Sequence, residues 1–430
     1  MSHHPPCRLI LISLLASLLL AGCGAVDGQT VRNVLEYQIR KVFPSVLVYR
    51  EAPAPASLSG VVRDEAGLPI PDAVVLVSTV RGEAVHTRSG VDGSYRLEGI
   101  APGRAVPMGG AWGFDALNGP ALRLSPGQQL TGVDFTLPAR QPRPVEPIDL
   151  AIGQPVEEHS QFPQPMTATR IPFSFTLEGV RIDNGQIYLP AQQARSETGQ
   201  SGEDASTLVI IYPSHPLNWN AASVALTRDG NPVLALGPHS SGGLDIDQHA
   251  RHYRAALQLW QSGQLTPLGR PDERWVAMSG SFSSLIRFKA LQDLPARPPA
   301  IVSVGGISDA FLGVQALYDA DLAIPPPYDS AVAALGRPDR DPAFFYGFSP
   351  VFYAEKLPPT FVIHTFNDEV IPYNQAEALA AALAAAGVPH ELLLYEDTTH
   401  YLDAYNPTPA THMVYERVLA YVWRMGQPVE

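Results

Sequence analysis

From about Arg170 onward the chain alternates short apolar runs with helix-length segments, and this alternation narrows the fold more than any other feature of the sequence. The runs are "TLVIIY", "PVLALG", "WVAMS", "AIVSVGG", "TFVIHTF" and "HELLLYE". Between them lie stretches of helix-forming residues such as Gln248 to Trp260 and Asn374 to Ala386, the second Ala-rich and ended by Gly387 with Pro389 beyond. That order predicts an α/β fold, a doubly wound, mostly parallel sheet with helices on both faces. At its start, "IPFSFTLEGVRIDNGQIYLP" reads as two strands turning at Asp183-Asn184-Gly185.

Upstream the period is two. "SLSGVV", "AVVLVSTV", "SYRLEGI" and "GVDFTL" are strand-length, with turn signals at Glu65-Ala66-Gly67 and Asp92-Gly93, which predicts a smaller N-terminal all-β sandwich. The expected organisation is a signal segment over 1–22, a tether over 23–56, the sandwich over 57–137, a Pro-rich linker over 138–170 and the α/β domain over 171–426. Within the tether, Val31, Val34, Leu35, Ile39, Val42 and Phe43 have the spacing of one amphipathic helix before the Pro/Ala-rich "EAPAPAS".

The run Leu9 to Leu20 is too short to span a bilayer and has the length of a signal-peptide core. It ends in Leu20-Ala21-Gly22-Cys23, which resembles the lipobox of bacterial lipoproteins. The resemblance implies lipidation at Cys23 and a place in the bacterial cell envelope, anchored on the extracytoplasmic side of a membrane. Of the two cysteines, cleavage removes Cys7 and lipidation occupies Cys23, which leaves no thiol for a disulfide or a thiolate metal site. The chain's 430 residues, 45% hydrophobic, suffice for more than one core. A formal charge of -13 without a Lys/Arg cluster argues against nucleic acid as a partner.

"VAMSGSFSSL" joins the strand "WVAM" to a following helix and carries four serines. At a strained strand-to-helix turn the nucleophile needs small residues two places before and after it, as in G-x-S-x-G. Ser281 meets this with Ser279 and Ser283, although serines replace both glycines; Ser283 falls within the first helical turn, where a hydroxyl tends to cap backbone groups. A nucleophilic serine needs a base and an orienting acid, in the order Ser, Asp, His. Asp368 follows "TFVIHTF" and His400 follows "HELLLYE". Asp309 and Glu369 are the rival carboxylates.

"FVIHTFNDEVIP", "LLLYEDTTHYLD" and "SPVFYAEKLPPTFVIHTF" resemble the corresponding segments of α/β-hydrolases, in particular prolyl-oligopeptidase-like serine hydrolases, over about residues 171–425. The resemblance implies an α/β-hydrolase fold with Ser281 as nucleophile, Asp368 as acid and His400 as base. It also implies an oxyanion hole made by the Phe282 N–H and, from the loop after the first parallel strand, the Tyr212 hydroxyl. The backbone N–H of Ser214 or His215 is the alternative donor, and Tyr212 reads equally well as a residue that only caps its strand. "SGVVRDEAGLPIPDAVVLVS" with "TRSGVDGSYRLEGIAPG" resembles the carboxypeptidase regulatory-like (transthyretin-like) module, for which a spacer or binding role is expected.

His239, Asp245, Asp247, His249 and His252 are enough side chains for a metal site, but their spacing lacks a His-Glu-x-x-His arrangement, and they read as loop and helix residues. The expected function is a lipid-anchored serine hydrolase that needs no cofactor and acts on a small ester or short peptide. "DLAIPPPYDSAVAALGRPDRDPAFFYGF" is the expected pocket cover. The competing expectation is a surface binding lipoprotein with a degenerate, inactive hydrolase domain, suggested by the serine-flanked turn.

Overall fold

In a computed structural model of the chain, the described residues are 28–42, 54–78, 84–191, 207–212, 220–269, 274–312, 314, 328–397, 400, 404 and 406–426. The expected signal segment and Cys23 lie outside them. Two compact units emerge, residues 1–142 with 308–356, and residues 143–307 with 357–430. Among the described residues no helix is long and apolar enough to cross a membrane.

The first unit opens with helix α1, Gly28–Val42, and continues into short strands β1 (Ala56–Asp64), β2 (Val74–Ser78), β3 (Ala84–Arg88), β4 (Ser94–Ile100), β5 (Gly103–Ala105), β6 (Pro107–Gly110), β7 (Leu117–Asn118), β8 (Leu122–Leu124), β9 (Gln129–Leu130) and β10 (Phe135–Leu137). One sheet runs β10-β1-β4 with β9 beside β1, a second runs β3-β2-β6-β7, and β5 pairs with β8. Leu58, Val62, Val75, Leu97 and Phe135 close the core of this sandwich, the inward half of its alternating strands.

The second unit is a mixed sheet of β11 (Ile148–Ile152), β12 (Val156–Ser160), β13 (Met166–Leu177), β14 (Val180–Pro190), β15 (Leu208–Tyr212), β16 (Val233–Ala235), β17 (Trp275–Gly280), β18 (Ala300–Val304), β19 (Thr360–Thr365) and β20 (His390–Tyr395). Its order is β11-β13-β14-β16-β15-β17-β18-β19-β20, with β12 also on β13. β11 to β14 pair antiparallel, β14 joins β16 antiparallel, and β16 through β20 are parallel. Helices α2 (Asn220–Leu226), α3 (Ile246–Gln261), α4 (Phe282–Leu291), α5 (Asn374–Ala385) and α6 (Pro409–Met425) accompany it. Val209, Ile211, Val276, Met278, Val302, Phe361 and Ile363 of the central strands share one core with Val414, Val418 and Val422 of α6. From β15 the chain steps out to β16 and returns past β15 to β17. The carboxyl ends of β15 and β17 therefore flank the place where the winding reverses, which is where a crevice opens in such sheets.

Three expectations change. The hairpin turn falls at Glu178-Gly179, with φ values of 50° and 79°, the two positive angles that a type I′ turn requires. Asp183-Asn184-Gly185 instead lies inside β14, where Asn184 Nδ2 donates to Gly237 O at 2.9 Å. A Cβ on Gly185 would stand 2.5 Å from the Phe173 ring, so that glycine serves close packing. Residues 138–170 are not simply a linker, for they contain β11, β12 and the start of β13. Pro147 falls just before β11, and Pro155 and Pro165 fall between the strands, where a missing N–H costs no ladder bond.

The third change concerns the expected pocket cover and the expected tether. The segment 308–356 leaves the second unit's sheet after β18 and returns to it as β19, yet it belongs to the first unit. Residues 315–327 of it lie outside the described residues. Phe311, Phe345 and Phe352 pack on one another, with ring centroids 6.2 and 5.4 Å from Phe311. Tyr346 lies flush on β6, where a Cβ on Gly110 would come within 2.8 Å of its ring. Arg88 of β3 pairs with Glu355 at 3.0 Å. These aromatics build core within their own unit. α1, expected as part of a tether, is bolted to the same segment: Tyr37 Oη and Lys41 Nζ both donate to the buried Asp329 Oδ2, at 3.0 and 2.8 Å, and Glu36 accepts from Arg337 and Arg340.

Tyr37→Phe removes a donor from a buried carboxylate and is expected to cost about 1.5–3 kcal/mol. Urea unfolding of the full chain measures it, and an unchanged midpoint would mean that α1 does not hold this segment.

Candidate active site

Ser281 comes immediately after β17 with φ 51° and ψ −138°, a conformation that side chains rarely adopt and that strain-bearing functional sites often contain. Its amide donates to Val304 O and Gly305 O, both at 3.2 Å, which ties the turn to the end of β18. Ser284 Oγ donates to Ser281 O at 2.7 Å and accepts from Ile307 N at 3.0 Å. The capping hydroxyl expected of Ser283 is therefore that of Ser284, while the hydroxyls of Ser279 and Ser283 are buried without a hydrogen-bond partner among the described residues. The tightest approach at the turn is one that the G-x-S-x-G comparison does not single out. A Cβ on Gly280 would stand 2.4 Å from Val304 O, so the glycine sits one residue before Ser281 rather than two. The "MSGS" text carried that signal.

His400 Nε2 is 2.8 Å from Ser281 Oγ, and His400 Nδ1 is 2.6 Å from Asp368 Oδ2. Only one tautomer serves both contacts: Nδ1–H donates to the carboxylate, and Nε2 accepts the serine proton. The three residues, separated by long stretches of sequence, thus form one relay. The Asp368 side chain is 1% exposed. Its Oδ1 accepts from the amides of Val370 and Ile371 at 2.9 and 2.7 Å. Its Oδ2 receives His400 and also His364 Nε2, at 3.0 Å. Burial alone would push the carboxyl pKa up, but the donors from His364 and His400 and the Ile371 amide outweigh it and hold the acid well below the usual carboxylate range. His364 is a residue that sequence reasoning passed over, although it stands in the quoted "FVIHTF".

The loop that carries His400 is anchored on both sides. Thr365 Oγ1 at the end of β19 accepts from Asp397 N at 3.1 Å, and the α6 N-cap Thr408 donates to Asp397 Oδ2 at 2.8 Å. Glu369, one rival for the acid, accepts from the His400 amide at 3.0 Å and so serves the loop backbone. The other rival, Asp309, belongs to the first unit, where it accepts from Leu312 N at 3.1 Å.

Phe282 contributes the first amide of α4, which has no acceptor within the helix. Tyr212 ends β15, fully buried, its ring edge-on to Tyr253 at 5.3 Å and its hydroxyl without a partner among the described residues. Burial pushes its pKa well above the ordinary tyrosine value, with a smaller contribution from Tyr253. Ser214 and His215 lie outside the described residues.

The rings of His239, His249 and His252 lie near one another, His252 being 6.3 and 5.8 Å from the other two, but the polar groups of 239–252 have separate partners. Asp245 caps α3 by accepting from Gln248 N at 2.8 Å, Asp247 pairs with Lys289 at 3.2 Å, and His239 accepts from Ser241 N at 3.3 Å. His249 Nε2 lies 3.1 Å from Gly243 O, and burial, with its histidine neighbours, pushes His252 down to about 3. Among the described residues no group of three or more His, Cys, Asp or Glu side chains is arranged to hold a metal ion.

A serine on a strained strand-to-helix turn at the carboxyl edge of this sheet, in line with a histidine and a buried aspartate, is the arrangement that the α/β-hydrolase fold places at this position. Residues 273–427 match the prolyl oligopeptidase family and residues 57–138 match the carboxypeptidase regulatory-like domain. Two non-reducing polyketide synthases of Penicillium brevicompactum, mapC' and mapC, are each 41% identical to the chain over 54 residues, 13% of this chain and 2% of theirs. Among solved structures, an acylaminoacyl peptidase of Pyrococcus horikoshii is similar at 13% identity and a TM-score of 0.46, over 84% of this chain and 62% of that one. Carboxyl esterase 2 of Tuber melanosporum is similar at 13% identity and a TM-score of 0.45, over 65% of this chain and 87% of that one. The chain thus spans 2% of the length of these curated relatives and 62% of the peptidase.

Gly280→Ala would drive a methyl group into backbone that no rotamer change relieves, and an overpacking cost of about 1–3 kcal/mol is expected. Urea unfolding reads it, and wild-type stability would contradict the close approach to Val304.

Proposed function

We propose that the chain is an exported, lipid-anchored serine hydrolase that cleaves ester or peptide bonds through Ser281, His400 and Asp368. The observation that carries this reading is the unbroken relay of 2.8 and 2.6 Å from Ser281 Oγ through His400 to the buried Asp368. Ser281 Oγ attacks the substrate carbonyl carbon while its proton passes to His400 Nε2. The ionised Asp368 holds the imidazole in the required tautomer and stabilises its cation. As the tetrahedral intermediate collapses, the bond to the alcohol or amine breaks and His400 returns the proton to that leaving group. Water, activated by the same histidine, then hydrolyses the acyl-serine. The Phe282 N–H supplies one donor to the developing oxyanion, strengthened by its place at the positive end of α4. The Tyr212 hydroxyl, buried without a partner among the described residues, supplies the second. This chemistry draws only on side chains and backbone of the chain itself.

Export and anchoring are supported by the apolar run Leu9 to Leu20 and the Leu20-Ala21-Gly22-Cys23 that ends it. They set the hydrolase on the extracytoplasmic side of a bacterial membrane, with small esters or short peptides as substrates.

The test is kinetic. With a panel of p-nitrophenyl esters and short peptide anilides, the wild type is expected to turn over one class or both. Ser281→Ala should abolish turnover, and Asp368→Asn should lower kcat by roughly 10⁴, the scale set by loss of the correct tautomer. Retention of wild-type rates by Ser281→Ala would refute the reading. For the anchor, Cys23→Ser is expected to move the protein from the membrane fraction to the soluble extracytoplasmic fraction, and an unchanged membrane fraction would refute it.

A further inference from the structure

A buried imidazole with one unsatisfied nitrogen is an expensive way to fill space. His364 is such a residue: it is 1% exposed in the interior of β19, and its Nδ1 has no hydrogen-bond partner among the described residues. Leaving a buried polar atom unpaired forfeits its hydration without return, and a Leu or Phe at the same place in an apolar sheet would avoid that cost. The other nitrogen explains the choice. Nε2 lies 2.8 Å from Ile371 O and 3.0 Å from Asp368 Oδ2, and since both are acceptors, its single proton is shared between them. The oxygen it reaches is the one that receives His400 Nδ1 at 2.6 Å.

We propose that His364 is a positioning residue of the hydrolytic site, which holds Asp368 Oδ2 in line with His400 and shares the charge that this oxygen presents to the imidazole. This rests on the serine-hydrolase reading above and deepens it. Asp368 has two rigid backbone donors on Oδ1, so Oδ2 is the oxygen whose direction and electron density remain to be set. A second donor there limits rotation of the carboxylate about its Cβ–Cγ bond. It also divides the negative charge, so that protonated His400 is stabilised less than it would be by an oxygen of its own.

The other titratable groups around the pair are few. β20 brings Tyr395, whose phenol burial, with Asp397 and Asp368, pushes well above the ordinary tyrosine range. The loop after β20 brings Asp397 and His400, and the acid loop brings Glu369, which is occupied by the His400 amide. β18, of sequence AIVSV, brings none, and α5, which packs on β19, carries only Glu377, exposed in its first turn. The Ile371 contact by itself suggests a purely structural duty, that of tying the acid loop, and the test separates the two.

The variants are His364→Leu, which removes the donor, and His364→Gln, which keeps an N–H. In the full chain, with the best ester of the panel, His364→Leu is expected to lower plateau kcat about tenfold, on the scale of a lost positioning contact, while KM stays unchanged. The acid limb of its kcat/KM profile should move to higher pH by about half a unit or more, because His400 then has Oδ2 to itself. His364→Gln should bring the limb back to the wild-type position. A reduced kcat with an unshifted limb, or Leu and Gln variants with the same profile, would overturn the proposal in favour of loop tethering. If His364→Leu does not fold, His364→Gln against His364→Ala carries the same comparison. A readout independent of turnover separates this proposal from the hydrolase reading. With ¹³C-labelled histidine, the titration of the His400 ring followed by NMR should move to higher pH in the donor-less variant and return in His364→Gln. Should the wild type hydrolyse nothing, the hydrolase reading fails while this titration still decides the proposal, and an unmoved titration overturns it.

Discussion

A carboxylate sealed away from water stays ionised only when donors replace the water it has lost, and Asp368 is the group on which the rest of the site depends. Four N–H groups converge on it, the amides of Val370 and Ile371 on one oxygen and the imidazoles of His364 and His400 on the other. Together they more than offset the desolvation that would otherwise protonate it. An ionised Asp368 dictates the His400 tautomer, and that tautomer leaves Nε2 as an acceptor facing Ser281. The linkage has a definite sign. A carboxyl whose folded pKa is depressed contributes stability that is complete above its unfolded value, about 3.9, and drains away as pH falls below it. The same four donors that ready the base therefore also help to hold the acid loop against β19 and β20 at neutral pH.

The second constraint is steric, and it acts at the other end of the relay. Ser281 reaches His400 because the chain leaves β17 through a residue with φ 51°. Such an angle is tolerated where the surroundings over-determine it. Here the surroundings are Gly280 pressed against Val304 O, the Ser281 amide held by the end of β18, and Ser284 locking the first turn of α4. Neither half suffices alone. The strained turn brings the hydroxyl to the histidine, and the buried aspartate fixes the tautomer that faces it.

Much of this was legible in the sequence because it depends on local pattern. The six apolar runs became the six parallel strands; β15 to β19 are buried along their whole length, as strands covered on both faces must be, while β20 at the sheet edge is half-buried, and Gly387 ends α5 with φ 68° as its position suggested. The hydrogen bonds join Ser281, Asp368 and His400 because each of these residues follows directly on a strand of one sheet. What was not legible depends on partners far away in the chain. Asp183-Asn184-Gly185 has turn chemistry, but β14 runs through it because Gly185 must make room for Phe173. Prolines marked 138–170 as a linker, although they only separate strands whose partner, β13, comes later. The aromatic segment after β18 read as a pocket cover because nothing in it names Gly110 or Arg88, far earlier in the chain, as its neighbours. His364 was hidden for another reason: inside an apolar strand, one histidine carries no periodic signal, and its meaning depends on where Asp368 folds back.

The central claim is that Ser281, rather than any of the three serines around it, is the activated nucleophile. The most direct measurement is to treat the folded full-length protein with a fluorophosphonate and locate the phosphonyl adduct by mass spectrometry of its peptides. Backbone geometry and the contact with His400 predict a single stoichiometric adduct on Ser281. An adduct on Ser279, Ser283 or Ser284, or a folded protein that takes up no phosphonate, would contradict the account.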